Sequence, residues 1–221
     1  MTPVAVVFDI DGTLVSFEFD VQGTRKAIID ELSQRGFDTS DLDLKTPTQT
    51  MVDAARIQIE SGRVHVDFEV LRSDLYSILD ASEIESCKDA NVLPGTIETL
   101  RYLKSKSMRL AVLTNSGRRA AVEILKRAGL NDCFEFVLSR DDVSMMKPKG
   151  DGLGLAISML GVPKDRVIYV GDSRYDIIAA KEAGLRVVAV PSGNYSAAAL
   201  REEGADFVIP SISELPSLLG V

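Results

Sequence analysis

The sequence contains no tryptophan, one histidine and two cysteines in 221 residues. With His65 the sole imidazole, histidine metal sites lack their ligands, and a Ser-His-Asp arrangement would depend on one residue lying in an acidic, helical stretch. Cys87 and Cys133 stand too far apart for a metal motif and follow no secretory signal. They read as two reduced thiols. Met1 to Phe8 has neither the basic start nor the long apolar run of a signal peptide, and no apolar stretch elsewhere is long enough to span a bilayer. A soluble, cytoplasmic protein is expected.

Positive charge is also scarce. The 33 acidic against 25 basic residues give a net charge of -8, which repels nucleic acid and anionic membrane surfaces, so neither is an expected partner. The excess is local: Phe17 to Asn91 carries 16 Asp and Glu against 8 Lys and Arg, leaving the remainder balanced at 17 and 17.

Hydrophobic residues, at 45%, suffice for a large core. Val4 to Ile10 is a continuous apolar run, the pattern of a parallel strand buried on both faces. Comparable runs occur at Arg109–Thr114, Phe134–Leu138, Val167–Val170, Val187–Val190 and Phe207–Ile209. Helical periodicity separates them, over Thr96–Ser105, Arg118–Ala128, Gly152–Leu160, Asp176–Ala183 and Ala197–Glu203, with Gly129, Gly161, Gly184 and Gly204 following as helix stops. This alternation predicts an α/β fold, a doubly wound, mostly parallel Rossmann-like sheet with helices on both faces. Phe17 to Asn91 breaks the rhythm with Thr24–Arg35, Thr48–Ser61, Asp67–Leu79 and Ser82–Asp89, all helical in pattern and without a clear strand. The expected organisation is a core of residues 1–16 and 92–221 with a helical subdomain, 17–91, inserted into it.

Chemistry concentrates at the strand ends. Asp9-Ile10-Asp11-Gly12-Thr13 closes the first strand with two carboxylates that the turn at Gly12 can bring together. Such a pair persists where a cation or a shared proton relieves its repulsion. Thr114-Asn115-Ser116 offers hydroxyls and an amide for phosphoryl oxygens, Lys147-Pro148 an ammonium, and Gly171-Asp172-Ser173 with Asp176 further carboxylates. In a parallel sheet all four groups converge beyond one edge.

The order Asp-x-Asp-Gly-Thr, Thr-Asn, Lys-Pro, Gly-Asp-Ser-x-x-Asp resembles the haloacid dehalogenase superfamily, in particular its phosphatases with a helical cap after the first motif, and among these the phosphoglycolate phosphatases. The resemblance covers roughly residues 4–14 and 92–210; the inserted segment matches only in place and helicity. It implies a magnesium-dependent phosphatase acting on a small phosphorylated metabolite. Asp9 would be the nucleophile forming an aspartyl phosphate, and Asp11 the general acid and base. Thr114, Asn115 and Lys147 would hold the phosphoryl group. Mg2+ would be bound by Asp9, Asp172 and the backbone carbonyl of Asp11, with Asp176 as a ligand or behind it. A sugar phosphomutase on the same core, or a non-catalytic phosphate-binding protein, are the alternatives.

Other features have plainer readings. Gly150, Gly152 and Gly154 do not fit a dinucleotide fingerprint and read as a flexible turn into a helix. His65 reads as a surface or structural residue, Asn194-Tyr195-Ser196 as a chance glycosylation match in a loop, and Arg118, Arg119 and Arg174 as solvated helix starts. Phe17 and Phe19, just past Thr13, are expected to line an apolar entrance beneath the acidic segment.

Overall fold

A computed structural model describes residues 3–16 and 18–221. The chain separates into two compact units, 1–17 with 89–221, and 18–88.

The larger unit is built on six parallel strands: β1 (Ala5–Phe8), β4 (Arg109–Leu113), β5 (Val137–Leu138), β6 (Val167–Gly171), β7 (Arg186–Ala189) and β8 (Phe207–Val208), in the order β5-β4-β1-β6-β7-β8. β1 lies centrally, with Phe8 opposite Val112 on one side and Val170 on the other. Its ends therefore sit at the reversal of strand order, where ligands of open α/β sheets bind. The period-2 alternation of each strand sorts the core. Ala5, Val7, Ala111, Leu113, Tyr169, Val187 and Ala189 share one cluster with Leu153, Ala156 and Leu160 of α6 (Asp151–Leu160) and Ile177, Ala179 and Ala180 of α7 (Arg174–Ala183). The intervening Val6, Phe8, Leu110, Val112, Val170 and Val188 are buried too, as a sheet covered on both faces requires. The remaining helices of this unit are α4 (Thr96–Ser105), α5 (Arg118–Arg127), α8 (Ala197–Glu203) and α9 (Leu215–Leu219).

The smaller unit packs three helices, α1 (Val21–Gln34), α2 (Thr48–Glu60) and α3 (Phe68–Ser86). Each contributes residues at helical spacing to a separate core: Ile28 and Leu32, then Met51, Val52 and Ala55, then Leu71, Leu75 and Leu79. Asp20 and Asp67 cap α1 and α3, accepting from Gly23 N at 2.8 Å and Val70 N at 3.0 Å.

Several elements differ from the sequence reading. The two helices expected over Asp67–Leu79 and Ser82–Asp89 are one α3 with a 3-10 turn at Cys87–Asp89, because Asp80-Ala81 contains no helix breaker. The strand expected over Phe134–Leu138 shortens to Val137–Leu138, although Glu135 N still donates to Leu110 O at 2.8 Å. A short antiparallel pair, β2 (Val15–Ser16) with β3 (Asn91–Val92), joins residues on either side of the inserted segment; two residues are too few to show a period. Phe17 lies outside the described residues, and Phe19 packs against the core of the smaller unit. Among the described residues no helix is long and apolar enough to cross a membrane.

Candidate active site

Asp9 follows the last residue of β1, held by its N–H donating to Val170 O at 2.9 Å. The chain then turns sharply: Gly12, at φ 73°, donates to Val15 O at 2.7 Å and Leu14 N bonds back to Ile10 O at 2.9 Å. A side chain at Gly12 would be strained by that φ. The strand's extended geometry ends here, so Asp11 is released from the alternation that would fix it to the sheet.

Lys147 is the hub of the site. Its Nζ, almost wholly buried, lies 2.7 Å from Asp9 Oδ1 and 2.6 Å from Asp176 Oδ1, and donates to Tyr169 OH at 3.0 Å. Tyr169 donates in turn to Asp176 Oδ1 at 2.7 Å. The other oxygen of Asp176 accepts from Ser173 N at 3.0 Å and Ser173 Oγ at 2.5 Å. Ser173 and Asp176 form a capping box, so the interaction that starts α7 also orients the carboxylate towards Lys147. It also explains why α7 begins at Arg174, earlier than the periodicity alone suggests.

Thr114 follows β4, its N–H donating to Leu138 O at 2.9 Å and its Oγ1 accepting from Ser116 N at 3.1 Å. Asn115 is placed differently from expectation: its amide donates to Lys147 O at 2.9 Å and its Oδ1 accepts from Lys147 N at 2.9 Å. Both ends of the side chain are thus engaged with the lysine's backbone. Arg140 lies outside the four strand-end motifs. It is 1% exposed, its N–H donating to Ser116 O at 3.0 Å and its guanidinium to Asn115 O at 2.9 Å.

Electrostatics follow from burial of like charges. Burial, opposed by Lys147, raises the Asp9 carboxyl to about 6, and burial with the neighbouring Asp9 carboxylate raises Asp11 to about 7. Asp172 is pushed up to about 9 by burial and then by Asp176, Asp9 and Asp11. Asp176 alone goes down: burial works against its charge, but Lys147, Ser173 and Tyr169 outweigh it. Burial opposes the Lys147 charge as well, and the two carboxylates overcome it, holding the ammonium protonated.

Oxygen atoms of Asp9, Asp172 and Asp176 lie within 4.8 Å of one another, a donor set of the kind hard divalent cations take. Asp176 already accepts four hydrogen bonds, so Asp9 and Asp172 are the carboxylates with capacity for a cation. The proton affinity of Asp172 marks where positive charge is lacking. The residues fit such an ion.

The remaining sequence features lie apart from this chemistry. Arg118 and Arg119 are exposed, Arg118 pairing with Asp142. Arg174 is exposed with its guanidinium 5.1 Å from the Tyr175 ring. His65 is exposed on the smaller unit, and Ser196 caps α8, accepting from Ala199 N at 3.2 Å. Gly150 and Gly152 serve close packing more than flexibility, since a Cβ would sit 2.9 Å from Ala183 N or 2.7 Å from Leu113.

Comparison with known proteins agrees with this arrangement. A family model described as haloacid dehalogenase-like hydrolase matches residues 6–190, and the chain belongs to that family. It is 30% identical to a phosphoglycolate phosphatase of Neisseria meningitidis over 214 residues, covering 96% of this chain and 91% of that protein. It is 32% identical over 127 residues to the pyrophosphatase PpaX of Halalkalibacterium halodurans, 58% and 59% of the two chains. The crystal structure of a hydrolase from Pseudomonas syringae shares the fold, with a TM-score of 0.69 at 24% identity, covering 98% and 97%.

Proposed function

We propose that this protein is a Mg2+-dependent phosphatase that hydrolyses a small phosphate monoester, of the phosphoglycolate type, through an aspartyl phosphate on Asp9. The observation that carries the reading is the buried Lys147 ammonium, 2.7 Å from the Asp9 carboxylate and anchored behind by Asp176. It leaves Asp9 ionised for attack while offsetting the charge of an incoming phosphate. The likeness to the Neisseria phosphatase over nearly the whole chain supports the substrate class.

In this mechanism an Asp9 oxygen attacks phosphorus in line, the bond to the leaving oxygen breaks, and Asp11 donates its proton to that oxygen. Water then attacks the phosphorus of the acyl phosphate, Asp11 takes its proton, and inorganic phosphate leaves with Asp9 regenerated. A carboxyl raised to about 7 suits a group that must be both acid and base near neutrality. Thr114, the Asn115 backbone and Lys147 hold the phosphoryl oxygens. The Asn115 side chain acts indirectly, fixing the backbone of Lys147. Mg2+, held by Asp9, Asp172 and the Asp11 carbonyl, would supply the positive charge that one lysine among four carboxylates cannot. The inserted helical segment would select the substrate, and its acidity would favour small, compact monoesters over polyanions.

The test is phosphate release with Mg2+ from phosphoglycolate, sugar phosphates, nucleotides and pyrophosphate. Hydrolysis of small monoesters, abolished by a chelator, is expected. Chelator-resistant turnover, or conversion of a sugar phosphate to its isomer without release, contradicts the proposal. Fastest cleavage of pyrophosphate would refute the preference for monoesters.

A further inference from the structure

We infer that the loop after β7, through Ser192 and Gly193, is a positioning device for the metal-binding carboxylate Asp172. The inference rests on the metal reading above and concerns residues outside the four strand-end motifs. β7 is paired with β6, Gly171 lying opposite Ala189, and Val190 N extends the ladder to Gly171 O at 2.9 Å. The segment Pro191-Ser192-Gly193 therefore rises from the sheet beside Asp172. Ser192 Oγ donates to the carbonyl of Gly12 at 2.5 Å, tying this loop to the turn that carries Asp9 and Asp11.

Asp172, 7% exposed, sits against both backbones. A Cβ on Gly193 would lie 2.8 Å from Asp172 Cγ, and one on Gly12 2.6 Å from it, each nearer still to Oδ2. Real Cβ atoms do not approach so closely, so the carboxylate would have to move. For Gly12 the backbone itself calls for glycine, at φ 73°. Gly193 is different: it is absent from the positive-φ residues and is exposed. Neither conformation nor core packing demands glycine there. The demand comes from the Asp172 carboxylate, which occupies the space that a methyl group would take. Alanine at 193 would force Asp172 to turn about its side-chain torsions, out of the position in which its oxygen lies within 4.8 Å of those of Asp9 and Asp176. Because Ser192 pins the loop to Gly12, the loop has little freedom to retreat instead.

Metal affinity measured without substrate tests this. Mn2+, which accepts the same hard oxygen donors, is titrated into the full chain and the free ion counted by electron paramagnetic resonance. Wild type is expected to bind, and Gly193→Ala to bind about 10- to 100-fold more weakly, the range seen when groups orienting metal ligands are lost. Its melting temperature without metal should match wild type. Gly154→Ala, on α6 with open space at its Cβ, should bind as wild type does. Unaltered Mn2+ affinity in a folded Gly193→Ala protein overturns the inference while leaving the metal reading intact. A wild type that does not bind Mn2+ overturns the metal reading, and the inference with it. Should Gly193→Ala not fold, Ser192→Ala decides: losing one hydrogen bond at the tether should weaken binding about 3-fold, and unchanged affinity refutes the role of the loop.

Discussion

Removing divalent metal should make the stability of the larger unit fall as pH rises, because three buried carboxyls hold protons more tightly when folded than when unfolded. The strongest case is Asp172, raised from 3.8 to about 9 by burial and by its carboxylate neighbours. Between those values the unfolded group is ionised and the folded group is protonated. The folded state then binds more protons, so stability declines with rising pH. Each differential proton is worth about 1.4 kcal/mol per pH unit. From pH 6 to 8 Asp172 alone accounts for about 3 kcal/mol, and Asp11, raised to about 7, adds to the lower part of the range. Asp176 and Lys147 do not contribute a slope here: the first is ionised, and the second protonated, in both states throughout this window. At about 2–4 °C per kcal/mol for a chain of this size, the melting temperature should drop by about 6–12 °C. The assay is thermal unfolding in chelator at a series of pH values, repeated with saturating Mg2+, which replaces the proton and should flatten the dependence. Asp172→Asn should remove the slope above pH 7 and leave the part that Asp11 contributes below it. Stability that is constant or rises between pH 6 and 8 in the metal-free protein, or a slope between pH 7 and 8 that is undiminished in Asp172→Asn, would refute the electrostatic reasoning.

Lys147→Met should abolish turnover and destabilise the metal-free protein by about 3–5 kcal/mol, since it strands the buried Asp176 carboxylate without its cation; denaturant titration and phosphate release check both. Tyr169→Phe removes one donor to Asp176 and should cost about 1–3 kcal/mol, with Lys147 and two Ser173 donors still in place. Its Mg2+-loaded form should keep substantial activity, and complete loss would show that Tyr169 does more than support Asp176.

Much of the site was legible because parallel strands bring their C-terminal ends to one edge. Asp9, Thr114 and Asp172 each follow an apolar run, and topology alone brings these strand ends together. Residues inside runs gave no such sign. Tyr169 sits among Val167, Ile168 and Val170, where a tyrosine reads as packing, and only the geometry shows its hydroxyl between Lys147 and Asp176. Arg140 was concealed by two following aspartates, one of which instead accepts from Ser139. Asn115 was recognised as a polar group at a strand end, but the direction of its amide depends on where the Lys147 loop returns, a contact 32 residues distant. Gly193 belongs to no motif, and only the approach of Asp172 sets it apart from other loop glycines. The fold's central strands are clear for the converse reason: buried on both faces, β1, β4 and β6 have no charged residue inside their apolar runs. β5 and β8, short strands at the edges, have weaker patterns and shorter pairing.

Formation of the covalent intermediate on Asp9 is tested most directly by rapid mixing of Asp11→Asn with an aryl phosphate and Mg2+. Such a leaving group departs without a proton, so the first step survives while water in the second lacks its base. One equivalent of aryl alcohol per enzyme should be released and turnover should then stall, with the phosphoryl group recovered on the peptide containing Asp9 after acid quench. Asp9→Asn should give no burst. A burst in Asp9→Asn, or a phosphoryl group found on any other residue, would contradict the account.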